Sequence, residues 1–320
     1  MKKLYIMIGL PGSGKSTYTK DLEGKVFSSD QYREKISGNS SDQSCNEQVF
    51  KKIYSDMREA MCNNIDCIFD ATNCTYKSRT QAISLGKKFS YEIIGIVVCQ
   101  TIEKCIEQDS NRSRSVGKNV ILKYAKSFQF PQYLEGFDSI KIVRPGFKQK
   151  EYGKSTLHFL SHELFEVLKP QLDNFEQHNP HHDFTVGKHS DLIADKAMKD
   201  YISGDISMED FAVLLPAGLW HDCGKIYTQT FDENNVAHYY GHESISVLRL
   251  LDIYSKMCDD TYDKNTVFKI LFVINNHMRF RDICKSEKAS KKFIMKWGQR
   301  NYDLLKRFIR YDEESCKKSN

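Results

Sequence analysis

The stretch Gly9-Leu10-Pro11-Gly12-Ser13-Gly14-Lys15-Ser16-Thr17 decides the fold of the first half of this chain. It fits the pattern G-x-x-x-x-G-K-[ST] completely; the apolar run Lys3–Ile8 before it favours a strand, and Thr17–Leu22 after it can begin a helix. In this order the pattern binds phosphate, because glycines let backbone N–H groups point at an anion near the positive end of a helix. A glycine-rich turn with an unrelated lysine is the alternative. The sequence therefore predicts a nucleoside triphosphate site.

Each part of this loop has an expected role. Lys15 would reach the β and γ phosphates of ATP or another nucleoside triphosphate, and the Ser16 hydroxyl would hold Mg²⁺. The predicted phosphate-binding residues of the loop are Gly9, Gly12, Ser13, Gly14, Lys15, Ser16 and Thr17.

Length and composition are those of an ordinary globular protein of about two domains. Of the 320 residues, 40% are hydrophobic and 28% are charged, and the net charge of +5 is only a weak sign of an anionic partner. The ten cysteines are scattered without a C-x-x-C pair. With no signal peptide, they predict reduced thiols and a cytoplasmic protein. Apolar stretches such as Ile93–Cys99 are far shorter than the ~20 residues of a membrane span, so no membrane partner is expected.

Strand and helix patterns alternate over the first 145 residues. The β-rich runs are Leu4–Ile8, Lys25–Ser28, Cys67–Asp70, Glu92–Cys99 and Ile140–Val143, and the main amphipathic stretches are Glu47–Asn63 and Lys77–Phe89. Such alternation predicts an α/β domain over residues 1–150, with a parallel sheet covered by helices on both faces. Ligands of this architecture bind at the carboxyl ends of the strands, so the residues after each run are the candidates.

Polar side chains follow the second and third of these runs. Asp30 and Arg33 lie three residues apart at a strand-to-helix transition, where a carboxylate could take the proton of an attacking hydroxyl and an arginine could hold a phosphate. A helix-capping aspartate beside a surface arginine is the alternative. After the third run, Asp70 suits the outer shell of Mg²⁺, and Thr72 and Asn73 follow it.

Two further arginines, Arg112 and Arg114, lie between predicted helical segments. Mobile arginines at that point would close over the triphosphate and neutralise charge in the transition state. A solvated basic turn is the alternative.

The pieces GLPGSGKST, SSDQYR, DATN followed by Arg79, and the Arg112/Arg114 pair resemble the P-loop polynucleotide 5′-hydroxyl kinase family. The resemblance covers about residues 1–145 and implies phosphoryl transfer to a hydroxyl. Carried over by motif, the roles are phosphate and Mg²⁺ binding for Lys15 and Ser16, general base on the 5′-OH for Asp30, contact with the acceptor's 3′-side phosphate for Arg33, support of metal and acceptor for Asp70, Thr72, Asn73 and Arg79, and clamping of the donor for Arg112 and Arg114.

Beyond Arg144-Pro145-Gly146 the strand patterns stop and helical spacing takes over. Apolar residues recur at three- and four-residue intervals in His158–Leu168, Gly187–Ile202, Glu209–His221, Ile245–Met257, Thr266–Met278 and Tyr302–Cys316. This change predicts a domain boundary near residue 150 and an all-α domain over residues 151–320.

All ten histidines lie in this second half, and histidines together with acids can build a metal site. The central piece is Leu219-Trp220-His221-Asp222-Cys223-Gly224-Lys225, where a neighbouring His and Asp at a helix end could face one metal. The other candidates, each in or beside a different predicted helix, are His189, His242, His277 and Asp312. A helical bundle builds an inward-facing metal site in this way. A single histidine on an apolar helix is more often a core residue, but the His–Asp pair favours ligands.

The ordered set H…HD…D, with HDCGK at its centre, resembles the His-Asp (HD) phosphohydrolase superfamily. The segment His178–His189, with Gly241-His242-Glu243, is most similar to the HD domains of bacterial tRNA nucleotidyltransferases, which implies action on phosphomonoesters and 2′,3′-cyclic phosphates. The implied roles are metal ligation for His189, His221, Asp222 and Asp312, a second metal site or phosphate contact for His242 and His277, and a positive charge on the phosphate or its leaving group for Lys225. The nearby Asp303, Glu313 and Glu314 are alternatives to Asp312. One or two divalent ions of Mn, Co, Ni, Zn or Fe would suit such ligands.

A kinase and a phosphohydrolase in one chain make sense if they act on opposite ends of a broken strand. The sequence therefore predicts a bifunctional end-healing enzyme that phosphorylates 5′-OH ends with ATP and removes 2′,3′-cyclic or 3′ phosphates. Its expected partners are RNA or DNA ends, RNA being favoured, with a separate RNA ligase as a further candidate. One alternative is a nucleotide or small-metabolite kinase with an HD nucleotidase or phosphodiesterase. Another is a P-loop domain regulated by a nucleotide-sensing HD module.

Overall fold

The computed structural model describes residues 1–39, 42–112, 114–145, 162–256 and 263–317. The chain divides into two compact units, an amino-terminal unit of Met1–Phe147 and a helical unit of Lys148–Asn320.

The amino-terminal unit is built on a five-stranded sheet in which every neighbouring pair is parallel. The strands are β1 (Lys3–Ile8), β2 (Lys25–Ser28), β3 (Cys67–Asp70), β4 (Glu92–Val98) and β5 (Ser139–Val143), in the order β2-β3-β1-β4-β5. Strand β3 is buried throughout and β4 is buried after its first residue, which is the pattern of a sheet covered on both faces. The predicted runs therefore form the strands to within one residue.

Helices connect these strands. They are α1 (Lys15–Tyr18), α2 (Ser29–Ser37), α3 (Asn46–Cys62), α4 (Tyr76–Lys88), α5 (Ile102–Ser110) and α6 (Lys118–Ala125). Helix α4 begins at a reciprocal cap in which the Thr75 hydroxyl accepts from the Ser78 N–H and the Ser78 hydroxyl accepts from the Thr75 N–H. Helices α3 and α4 match the two predicted amphipathic stretches with a shift of one residue at each end.

The helical unit contains a π-helical segment, His162–Leu168, followed by helices over most of its described length. These are α7 (Lys169–Asp173), α8 (Val186–Ile202), α9 (Met208–Trp220), α10 (Lys225–Thr228), α11 (His242–Ser255), α12 (Lys264–Ile283), α13 (Glu287–Trp297) and α14 (Gln299–Glu314). Four residues of the predicted helix at 158–168 lie outside the described residues. Among the described helices, none is long and apolar enough to cross a membrane.

One feature of the helical unit differs from the sequence prediction of an all-α domain. A small antiparallel hairpin, β6 (Thr230–Phe231) with β7 (Ala237–His238), lies between α10 and α11. The sequence pattern also does not predict helix α13. Only Ser290, Phe293 and Trp297 of its residues are buried, and the lysines between them interrupt the apolar periodicity of the segment.

Candidate functional site

The phosphate loop follows β1 and has a backbone shape that requires glycine. Gly12 and Gly14 have φ angles of +81° and +93°, in the left-handed region that side chains disfavour. A Cβ at Gly12 would also lie 2.2 Å from the carbonyl oxygen of Cys105. The Lys15 ammonium is buried within the loop and donates to the carbonyls of Gly9 at 2.9 Å and Leu10 at 2.7 Å. Burial lowers the pKa of Lys15.

Ser16, predicted to hold Mg²⁺, and Asp70, predicted for its outer shell, lie close together. Because β1 pairs with β3, the Ser16 hydroxyl reaches Asp70 and donates to its Oδ2 at 2.8 Å. Burial raises the pKa of Asp70, although the Ser16 hydrogen bond and the charge of Lys15 oppose this. A hydroxyl and a carboxylate are hard oxygen donors of the kind that Mg²⁺ prefers, so this pair fits the ion.

Asp30 lies at the carboxyl end of β2 in the first turn of α2, between two guanidinium groups. Its Oδ1 is 2.9 Å from Nη1 of Arg33, and its Oδ2 is 3.2 Å from Nη1 of Arg114. Arg33 is buried and also donates to the Asn46 side chain at 2.9 Å, whereas the Asp30 side chain is 59% exposed. The carboxylate is therefore open to an acceptor while its two cationic partners hold its orientation.

One cleft of about 500 Å³ joins these groups. The predicted residues that line it are Gly12, Lys15, Ser16, Asp30, Arg33, Asp70, Thr72, Arg112 and Arg114. Residues that the sequence did not single out also line it, among them Gln43, Asn46, Phe50, Val120, Lys123 and Tyr124. The predicted residues outside this lining are Gly9, Ser13, Gly14, Thr17, Asn73 and Arg79.

Arg79 and Asn73 have structural contacts that do not fit the expected support of metal and acceptor. The Arg79 guanidinium is fully buried and pairs with Glu135 through two contacts of 2.9 Å, while its Nη1 donates to the carbonyls of Asn73 and Gln129. Asn73 is buried, adopts a φ of +47°, and donates to the carbonyl of Met7 at 2.8 Å. These residues shape the strand ends behind the cleft rather than line it.

A cluster of histidines and aspartates lies inside the helical unit, and we call it the histidine cluster. Its members are His189 on α8, His221 and Asp222 after α9, His242 at the start of α11, His277 on α12 and Asp312 on α14. All six are at most 4% exposed. Helix α9 ends at Trp220 and His221 caps it, so the adjacent His221 and Asp222 side chains can both face inward.

The four histidines share the same hydrogen-bonding pattern, with Nδ1 bonded to the backbone and Nε2 directed into the cluster. Each Nδ1 lies 2.8–3.0 Å from a backbone carbonyl, namely those of Ser315, Gly218, Tyr239 and Ile274. Because a carbonyl oxygen can only accept, Nδ1 must carry the proton in each ring. In the neutral ring, Nε2 then presents its lone pair. A carbonyl that accepts from Nδ1 orients a metal-ligating histidine in this way.

The Nε2 atoms converge on the two carboxylates. Asp312 Oδ1 lies 3.1 Å from His189 Nε2, Asp222 Oδ2 lies 3.3 Å from His221 Nε2, and Asp222 Oδ1 lies 3.0 Å from His242 Nε2. The Nε2 atoms of His242 and His277 are 3.2 Å apart. Lone pairs and carboxylate oxygens this close repel unless a cation or proton lies among them.

The donor set therefore fits divalent metal. Two triads, His189–His221–Asp312 and His221–Asp222–His277, each bring three ligand atoms within 4.8 Å of one another. Burial would raise the pKa of Asp222, but His221 and Lys225 outweigh it and hold that pKa well below its ordinary value. Mixed imidazole and carboxylate ligands suit first-row transition metals or zinc.

Lys225 is enclosed rather than directed to an open site. Its ammonium is 2.7 Å from Asp222 Oδ2, donates to Gln177 at 2.7 Å and lies 5.2 Å from the ring centre of Tyr239. The residue is only 5% exposed. The predicted contact of Lys225 with a substrate phosphate therefore does not fit its surroundings, which make it a partner of Asp222.

Comparisons with known proteins agree with the geometry of the amino-terminal unit. The family model AAA_33, described as AAA domain, matches residues 4–131. A protein of Acanthamoeba polyphaga mimivirus that carries the name bifunctional polynucleotide phosphatase/kinase is 26% identical over an alignment of 154 residues that covers 44% of this chain and 33% of that protein. The chain thus matches about a third of the length of this curated relative. The amino-terminal unit is thus a parallel α/β domain with a phosphate loop, and its sequence is similar to the AAA_33 model and to this relative.

Similar solved structures cover parts of the chain. A chain of the Pnkp1/Rnl/Hen1 RNA repair complex is 23% identical with a TM-score of 0.35, over 38% of this chain and 42% of that chain. A protein described as a kinase from Chloroflexus aurantiacus is 17% identical with a TM-score of 0.38, over 51% of this chain and 96% of that chain.

Three residues near the histidine cluster are not assigned a site role from the sequence. Arg281 pairs with Asp312 at 2.5 Å, while His182 and Cys316 form a further group of possible metal ligands with His189. Burial lowers the pKa of His182 to about 3. The four-residue spacings from His277 to Arg281 and from Asp312 to Cys316 were the available signals, because residues four apart share a helix face.

Proposed function

We propose that the protein is a bifunctional nucleic-acid end-healing enzyme. The amino-terminal unit would transfer the γ-phosphate of ATP to a 5′-OH end, and the helical unit would be an HD-type phosphohydrolase that removes 2′,3′-cyclic or 3′ phosphates. RNA is the favoured substrate, since many RNA breaks carry this pair of ends.

The observation that carries the kinase proposal is the meeting of donor and acceptor groups in one cleft. Lys15 and the Ser16–Asp70 pair would hold the triphosphate with its Mg²⁺, and Asp30 is exposed in the same cleft between Arg33 and Arg114. Asp30 would accept the proton of the attacking 5′-OH, and the arginines would bind phosphate oxygens. A carboxylate and two guanidiniums facing the phosphate loop favour transfer to a hydroxyl over simple hydrolysis.

The phosphohydrolase proposal rests on the convergence of the four histidine Nε2 atoms on Asp222 and Asp312. Divalent metal bound by such ligands supplies an activated water at neutral pH. The backbone carbonyls that fix each Nδ1 keep the Nε2 atoms directed toward the two carboxylates, so the site is organised in advance. This complete set of possible metal ligands also favours a catalytic HD-type domain over one that only senses a nucleotide.

Support for nucleic acid as the substrate comes from the pairing of the two sites. A kinase and a phosphatase that acted on the same phosphate would cancel one another, whereas opposite ends of one break need both. The name of the mimivirus relative contains the words phosphatase, kinase and polynucleotide. A separate RNA ligase would be the natural consumer of the healed ends.

The test gives the purified full chain labelled ATP and an RNA oligonucleotide with a 5′-OH and a 2′,3′-cyclic phosphate, with Mg²⁺ and Mn²⁺. We expect label at the 5′ end and opening or loss of the cyclic phosphate. Lys15→Ala should abolish labelling and preserve end removal, and His221→Ala should do the reverse. A protein that labels nucleosides or small sugars but no oligonucleotide would instead support the small-metabolite alternative.

A further inference from the structure

Each carboxylate of the histidine cluster has one oxygen beside an imidazole and the other bound by a cation, and the cation-bound Oδ2 of Asp222 also lies 3.3 Å from His221 Nε2. Asp222 Oδ1 lies 3.0 Å from His242 Nε2, and its Oδ2 lies 2.7 Å from Lys225 Nζ. Asp312 Oδ1 lies 3.1 Å from His189 Nε2, and its Oδ2 lies 2.5 Å from Nη2 of Arg281. Lys225 and Arg281 therefore have matching places on the two carboxylates.

These two cations differ in what else they can reach. Lys225 is 5% exposed and its ammonium is taken up by Asp222, Gln177 and the face of Tyr239. The Arg281 side chain, in contrast, is 28% exposed to solvent. Its contact with Asp312 uses one of five guanidinium N–H donors, and its buried Nε has no hydrogen-bond partner among the described residues. Of these two cations, Arg281 is therefore the one with guanidinium N–H donors available to bind a further anion.

The helix places these donors beside the metal ligands. Arg281 follows His277 by four residues on α12, so both side chains lie on the same face of the helix. A guanidinium can bind a carboxylate with one edge and a phosphate with another, which a lysine ammonium cannot do in the same fixed geometry.

We propose that Arg281 binds an oxygen of the substrate phosphate at the histidine cluster while it holds Asp312 as a one-oxygen metal ligand. This inference rests on the proposed phosphohydrolase function and gives Arg281 the contact that the sequence suggested for Lys225. The ligand is an anionic phosphate ester, either a phosphomonoester or a cyclic phosphodiester. The positive guanidinium would offset the repulsion between this anion and the carboxylates of Asp222 and Asp312.

The test measures phosphate binding rather than turnover. The full chain is stripped with a chelator, reloaded with saturating Mn²⁺, and titrated with inorganic phosphate by calorimetry. Arg281→Ala is expected to raise the Kd for phosphate by about tenfold or more, as loss of one charge-assisted contact does. Arg281→Lys should give an intermediate Kd. The control is Arg279→Ala, an exposed arginine two residues earlier on the same helix, which should bind phosphate as the unchanged protein does.

The titrations distinguish phosphate binding by Arg281 from a role in positioning Asp312 alone. Unchanged phosphate affinity in metal-saturated Arg281→Ala would show that Arg281 only positions Asp312, and would overturn the proposal; so would an unchanged protein that binds no phosphate. If Arg281→Ala does not fold or does not load Mn²⁺, Arg281→Lys decides in the same way, because it keeps a cation for Asp312. Phosphate binding that depends on Arg281, in a protein that releases no phosphate from RNA ends, would leave this inference standing and remove the proposed function.

Discussion

At Asp30 both carboxylate oxygens face guanidinium groups, yet the side chain is more exposed than either arginine. Asp30→Asn keeps the shape and removes the basic oxygen. We expect it to slow phosphoryl transfer to a 5′-OH oligonucleotide by about 10²–10⁴-fold, the usual contribution of a general base, with little change in ATP affinity. Single-turnover labelling and a nucleotide-binding titration check the two quantities. The control is Asp21→Asn, an exposed carboxylate outside the cleft lining; a full transfer rate in Asp30→Asn would contradict the assignment.

Arg79 is a residue whose partner could not be read from the sequence. Glu135 lies 56 positions away, and the sequence carries no local signal for a pair that only the folded chain brings together. Removal of one member of a buried ion pair leaves an uncompensated charge, so Arg79→Ala should destabilise the amino-terminal unit by about 3–5 kcal/mol. Hydrogen exchange of the β1, β3 and β4 amides measures this directly.

The double variant Arg79→Ala/Glu135→Ala provides the internal comparison. Because the two residues contact each other, it should cost less than the sum of the single variants. Lys77→Ala, an exposed cation on the same helix α4, should leave the exchange rates unchanged. Equal exchange in Arg79→Ala and Lys77→Ala would show that the pair adds no stability.

Among the elements, the strands of the sheet were the most predictable and α13 the least. Buried parallel strands are continuous apolar runs, so Cys67–Asp70 and its neighbours can be read without knowledge of the fold. The inward placement of His221 and Asp222 was also readable, because a helix end frees two adjacent residues from opposite faces. The enclosure of Lys225 was not, since Gln177 and Tyr239 lie in other elements.

A single carboxylate on α8, that of Asp200, accepts hydrogen bonds from three side chains of α14. Asp200 on α8 accepts from Arg307 at 3.0 Å, from Arg310 at 2.9 Å and from the Tyr311 hydroxyl. Burial would raise the pKa of Asp200, but the Tyr311 hydrogen bond and the two arginines outweigh it and lower that pKa. A lowered pKa in the folded state means stability that is present above the unfolded pKa of about 4 and is lost as the pH falls below it.

Asp200→Asn should therefore lower the free energy of unfolding by about 1–2 kcal/mol at neutral pH. The difference in free energy of unfolding between Asp200→Asn and the unchanged protein should become smaller as the pH falls below about 4. Both tryptophans, Trp220 and Trp297, lie in the helical unit, so urea unfolding followed by their fluorescence reports on it. Asp195→Asn, an exposed carboxylate on α8, is the control. A stability loss that stays constant down to pH 3 would mean that the Asp200 charge is not its source.

Across the whole molecule, each proposed ligand should stabilise the unit that binds it. The histidine cluster draws its residues from α8, the end of α9, α11, α12 and α14, so a metal bound by them would tie five segments together. A ligand present at 100 times its Kd adds about 2.7 kcal/mol to the folded state, which corresponds to roughly 5–10 °C for a unit of this size. After chelation, added Mn²⁺ should raise the tryptophan-detected transition by that amount.

The variants assign each shift to its site. His221→Ala should abolish the Mn²⁺ shift, because His221 contributes to both metal triads, and it should retain the stabilisation of the amino-terminal unit by Mg²⁺ and ADP. Lys15→Ala should show the opposite pattern, since its buried ammonium lies at the phosphate loop. Calorimetry of the full chain measures the transitions. If Mn²⁺ stabilised His221→Ala as strongly as the unchanged protein, the metal would bind elsewhere, and the converging imidazoles would then be held by protons shared with Asp222 and Asp312.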